Sequence, residues 1–65
     1  MGNDHPFTVE IRELQHDELR YYGWRIFEDG KTCDESVTHF STKREAVTDA
    51  QKVMQRLVAR WQAGK

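Results

Sequence analysis

Four side chains in this sequence could ligate a metal or act near a nucleophile: His5, His16, His39 and Cys33. A zinc site takes its donors at spacings such as C-x-x-C or H-x-x-x-H, which bring two of them to one turn of chain. No such spacing occurs here. Cys33 and His39 can share a sheet face but stand about 20 Å apart along an extended strand. No metal and no cofactor is expected. Nucleophilic catalysis would need Cys33 or a serine beside a base. Cys33 is expected to face Ile26 and the helix, where a thiol is inert. The carboxylate pairs Asp17-Glu18, Glu28-Asp29 and Asp34-Glu35 are adjacent in sequence, at turns or strand edges, and read as a solvated rim. So small a domain is not expected to enclose a substrate pocket of ~300 Å³. These points together argue against an enzyme.

Two groups of residues could instead bind something. Lys52, Arg56 and Arg60 recur every four residues along one helix border, with Lys43 and Arg44 at the helix start. Such a row could meet phosphates or an acidic partner. A solvated face with cations near the negative end of the helix accounts for the same residues and is preferred. Arg12, Tyr21, Arg25 and Phe27 belong to the outward side of a sheet. Aromatics beside arginines suit a protein interface or base stacking. The alternative is that Tyr21 and Phe27 simply pack along the sheet. An interface is favoured because a sheet with a single helix leaves a whole face open.

The elements that must carry these residues can be read from periodicity. From Thr42 to Trp61, the residues Ala46, Val47, Ala50, Val53, Met54, Leu57, Val58 and Trp61 fall within about 140° of a helical wheel. Glu45, Thr48, Asp49, Lys52, Gln55 and Arg56 take the other side. Thr42 and Glu45 form a capping-box pattern, and Gly64 fits a stop, so the helix is expected over about 42–62. The apolar arc is too wide for a coiled-coil seam and is expected to lie on a sheet. Phe7 to Glu13 alternates as a half-buried strand, with Phe7, Val9 and Ile11 inward and Thr8, Glu10 and Arg12 outward. Gln15 to Leu19 reads as a polar connection. Tyr21 to Glu28 is a second strand with Tyr22, Trp24 and Ile26 inward.

Asp29-Gly30 marks a two-residue hairpin, because both positions of its turn take positive φ. That register pairs Glu28 with Lys31, Ile26 with Cys33 and Arg25 with Asp34. It also sets Glu35 opposite Trp24 on the core side. A bulge near Glu35-Ser36, or a three-residue loop, would turn Glu35 outward. The third strand is expected to continue through Val37 and His39 to Phe40, and Phe40 to fix where the helix begins. Residues 1–6 are expected to be loose. The expected fold is α+β, a single β-β-β-α domain over residues 1–65: three antiparallel strands with one C-terminal helix on one face.

Composition sets the outer bounds. With 65 residues, 37% apolar and 32% charged, the chain has material for one small core, and such domains gain from a partner. Net charge is −1. Residues 1–40 carry four basic and nine acidic groups, while residues 41–65 carry six and two, so the strands are acidic and the helix is basic. A single cysteine rules out an internal disulfide and favours a reducing compartment. The start lacks a secretory pattern and no apolar run has the length of a membrane span, so a cytoplasmic location is expected.

Two family resemblances rest on particular residues. Gly23-Trp24-Arg25-Ile26-Phe27-Glu28-Asp29-Gly30-Lys31, then Asp34-Glu35-Ser36, then Phe40 to Ala46, resemble the YegP-like family of small prokaryotic β-β-β-α units. That resemblance covers about two thirds of the chain. It implies the fold and a tendency to pair, and it implies no activity. Phe40, Thr42, Glu45 and Ala46 are also similar to the helix start in the DNA-binding domains of ethylene-response factors and in phage integrase arm-binding domains. Those domains imply major-groove reading by basic residues on the sheet. Here the sheet is net acidic, and only Arg12 and Arg25 point outward, which sets nucleic acid second. The expected function is that of a non-enzymatic interaction module, a homodimer or bound to another protein.

Overall fold

The computed structural model describes residues 5–64. Residues 1–4 and 65 lie outside the described residues, and with them most of the expected loose start. The order is β1 (Phe7–His16), β2 (Leu19–Glu28), β3 (Lys31–Glu35) and α1 (Lys43–Ala63). The three strands form one antiparallel sheet in the order β1-β2-β3. The α+β architecture, with three antiparallel strands and one C-terminal helix, is therefore as expected.

Periodicity explains what is buried. Phe7, Trp24, Ile26, Ala46 and Ala50 are the buried apolar residues among those described, and Ile26 is fully enclosed. Ile11, Phe40, Val53, Met54, Leu57, Val58 and Trp61 pack around them, each partly buried. The two alanines let the helix approach β2 closely. The indole N–H of Trp24 donates to Asp49 Oδ2 at 2.8 Å, so a half-buried carboxylate ties helix to sheet. The wheel alone puts Asp49 on the solvent side. It sits at the margin of the apolar arc, where a short side chain can reach inward.

Four other expectations change. First, β1 and β2 run further than expected: His16 pairs with Leu19, and the connection is only Asp17-Glu18, with Asp17 at φ 59°. Asp tolerates this left-handed conformation. Second, the bulge comes earlier than Glu35-Ser36. Glu28 pairs with Lys31 and Phe27 with Thr32, but Ile26 pairs with Asp34 and Arg25 with Glu35, leaving Cys33 as the extra residue. Cys33 is consequently exposed rather than buried against the helix. Third, β3 stops at Glu35; Val37 is 98% exposed, and the chain rejoins the sheet only at Phe40, which exchanges two 2.8 Å hydrogen bonds with Tyr22. Fourth, His5 and Pro6 are tied down. His5 stacks near Phe7 and edge-on to Trp61, and Pro6 O accepts from Asp29 N.

The ends of the elements follow from local chemistry. Asp29 and Gly30 take φ 52° and 84°, the paired left-handed residues of a tight hairpin. Thr42 Oγ1 accepts from Glu45 N at 3.2 Å. The other half of the capping box is altered, since Glu45 Oε1 accepts from Ser41 Oγ instead of reaching back to the main chain. Gly64 ends the helix at φ −85°, with its N–H shared between Arg60 O and Trp61 O. No helix among the described residues is long and apolar enough to cross a membrane.

Candidate interaction surface

The helix lies over β1 and β2, and among the described residues no element covers the opposite face of the sheet. Side chains alternate along a strand, so the register assigns that face. Thr8, Glu10, Arg12, Leu14 and His16 come from β1, and Leu19, Tyr21, Gly23, Arg25 and Phe27 from β2. The bulge adds Thr32 and Glu35 from β3. All four residues expected there, Arg12, Tyr21, Arg25 and Phe27, share this face. Tyr21, Arg25 and Phe27 are half-buried and Arg12 is exposed.

The four are not equivalent. Arg25 Nε donates to Glu35 Oε1 at 3.1 Å, so its charge is already partnered within the sheet. Arg12 lies opposite Gly23 and has no ion-pair partner among the described residues. Tyr21 packs against the His39 ring, with centroids 5.8 Å apart, and Leu14 is its cross-strand neighbour. With Leu19, 59% exposed, these make an apolar end to the face. Phe27 stands at the far end between Thr8 and Thr32.

Gly23 sits at the centre for a steric reason. Ser36 Oγ accepts from Trp24 N at 3.1 Å, standing in for the strand carbonyl that is absent where β3 has peeled away, and Ser36 N donates to Trp24 O at 2.9 Å. A Cβ on residue 23 would meet that hydroxyl at 3.0 Å. The floor so created, with Arg12, Leu14, Glu35 and His39 around it, is a depression of about 130 Å³.

Sequence reading missed Leu14, Leu19 and His39 as members of this surface. The signal for the first two was present. Extending the alternation of β1 and β2 through the polar stretch to the Asp17-Glu18 turn brings Leu14 and Leu19 onto the outer face. Nothing in the sequence placed His39 beside Tyr21, because that depends on where the chain leaves β3.

The second expected group lies elsewhere. Lys43, Arg44, Lys52, Arg56 and Arg60 are all exposed on α1, and among the described residues none has an ion-pair partner. Arg44 and Lys52 border a depression with Phe40, Glu45, Thr48 and Asp49, and Arg60 borders another with Phe7, Glu28, Cys33, Leu57 and Trp61. The first has a volume of about 350 Å³ and is open to solvent rather than enclosed. Among the described residues, no three of His, Cys, Asp and Glu are grouped closely enough to hold a metal ion.

Comparison of the chain with protein-family models, with curated proteins and with solved structures finds no match.

Proposed function

We propose that this protein is a non-catalytic interaction module that self-associates through its sheet. One observation carries the proposal: a single helix covers a single face, so the sheet keeps a bare outer face and bare edges. The outer face bears Leu14, Tyr21 and Phe27, which are half-buried, and Leu19, which is exposed. Among the described residues no strand pairs with the outer edge of β1, which runs ten residues with no proline to block pairing. Unpaired strand edges and apolar sheet faces are the surfaces through which small β domains associate. A five-residue buried core adds a motive, since a domain of this size gains stability from further burial. Sedimentation at micromolar concentration tests the proposal. It is expected to give a species heavier than one chain, and a strict monomer contradicts it.

A second reading rests on five cations of α1 that have no ion-pair partner among the described residues. Lys43, Arg44, Lys52, Arg56 and Arg60 would contact the phosphates of a nucleic acid, with Arg12 and Arg25 as sheet contacts. Such binding weakens as salt rises, because each phosphate contact releases counterions. An amide-shift titration with duplex DNA and RNA at roughly 50 mM salt decides it. Shifts along α1 that fade with added salt support nucleic-acid binding, and no shift ends it.

A further inference from the structure

We infer that the self-association contact is the open edge of β1, paired antiparallel with β1 of a second copy about a two-fold axis at Ile11. The inference rests on the self-association proposed above and specifies its place and register.

Hydrogen bonding in the sheet shows which peptide groups face the edge. Tyr22 bonds away from β1, to Phe40, and Trp24 bonds the same way, to Ser36. In an antiparallel ladder the direction alternates along a strand. Odd-numbered residues of β2 therefore bond toward β1, where their partners are Thr8, Glu10, Arg12 and Leu14. The peptide groups of Val9, Ile11 and Glu13 are left pointing outward. They can supply about six main-chain hydrogen bonds to an identical strand.

Charge then selects the register. A two-fold axis perpendicular to the sheet requires opposed residues to lie on the same face, so registers differ by steps of two. With Ile11 opposite Ile11, Glu10 of each copy faces Arg12 of the other. A shift one way opposes Glu10 to Glu10, and a shift the other way opposes Arg12 to Arg12. Both residues are exposed, and neither has an ion-pair partner among the described residues, so both are available for the contact.

The helix side of the sheet agrees. Val9 is 46% exposed although it faces the helix side; in this register Ile11 meets Ile11 on that side, with Val9 of each copy beside it and opposite Glu13 of the other. The two flanks of α1 also differ. On a wheel, Asp49, Lys52, Arg56 and Arg60 lie on one flank and Val47, Met54 and Val58 on the other. Trp24, Phe40 and Cys33 fix the first flank on the β3 side. The apolar flank therefore overhangs β1, where Val47, Met54 and Val58 are only half-buried. Strands about 4.8 Å apart place the helices of two such copies about 10 Å from each other, which is a packing distance for helices. A second copy thus meets the apolar flank while both basic rows stay outside.

Charge reversal on the full chain tests the register by sedimentation equilibrium, with far-UV circular dichroism confirming the fold. Glu10→Arg alone and Arg12→Glu alone are each expected to weaken the dimer about tenfold, since each turns two attractive pairs into repulsive ones. The double variant Glu10→Arg with Arg12→Glu restores both pairs and is expected to recover wild-type affinity within about threefold. A dimer indifferent to the single reversals, or a double variant no better than the singles, overturns the edge contact while self-association stands. Dissociation by Tyr21→Ser and Phe27→Ser with no effect of the reversals moves the contact to the outer face and likewise overturns it. A wild-type monomer removes both this inference and the proposal beneath it.

Discussion

At the scale of single residues, two polar units tie the sheet together and join it to the helix. Gly23 and Ser36 form one unit: the glycine admits the hydroxyl, and the hydroxyl replaces a missing ladder acceptor for Trp24 N. Gly23→Ala is therefore expected to cost about 1–3 kcal/mol in the wild type, because the added methyl overpacks the site. In a Ser36→Ala background the same change is expected to cost ~1 kcal/mol less, since the atom it strikes is gone. Chemical denaturation of the four proteins checks this, and strictly additive losses would show that the two residues act independently. Trp24 and Asp49 form the other unit. A cycle of Trp24→Phe and Asp49→Ala is expected to give a coupling of ~2 kcal/mol, the value of a bond from a neutral donor to a charged acceptor. Zero coupling would mean that the bond does not hold the helix in place.

At the scale of elements, legibility depended on whether one pattern had a single solution. The helix repeats its apolar spacing over five turns, and Thr42 and Gly64 mark its ends, so α1 was readable almost to the residue. The β2–β3 register was not. In the unbulged register Arg25 meets Asp34, and in the bulged one it meets Glu35; both are opposite charges, so charge could not choose. The bulged register sets Asp34 opposite Ile26 and brings Ser36, rather than Glu35, beside Trp24, where its hydroxyl and N–H bond the Trp24 main chain. The length of β1 and β2 was hidden for another reason. Beyond the helix the arm has no core to face, so its residues need not alternate in polarity, and ladder bonds with a left-handed Asp17 suffice. The outer-face residues Arg12, Tyr21, Arg25 and Phe27 were legible because alternation alone assigns them. Asp29-Gly30 was legible because its backbone demands it. Gly30 has φ 84°, and a methyl group there would meet nothing within 4 Å, so Gly30→Ala is expected to cost about 1 kcal/mol through backbone strain alone. Gly30→Asn is expected to cost less, because asparagine enters that region more readily. Equal losses for the two, read from denaturation midpoints, would refute this explanation.

At the scale of the whole molecule, the chain is extended rather than round. Its Cα radius of gyration is 13.1 Å, against about 11 Å for a compact chain of this length, and its extents are 46 × 21 × 20 Å. An extended shape leaves much of the sheet without cover, and the sequence makes the uncovered parts unlike one another. The β1 edge and its overhanging helix flank are apolar with matched charges. The β3 side carries Lys52, Arg56 and Arg60, which have no ion-pair partner among the described residues. The outer face has an aromatic and leucine end near Tyr21 and a partnered arginine near its middle. On this account the β1 edge joins two copies, and a continuous outer face and two separate basic rows remain for other molecules. The mass of the full chain in solution is the most direct test of that account. Sedimentation equilibrium from about 1 to 100 micromolar, on the order of the affinities of modest interfaces, is expected to fit a monomer–dimer equilibrium. A mass equal to one chain throughout that range would contradict it.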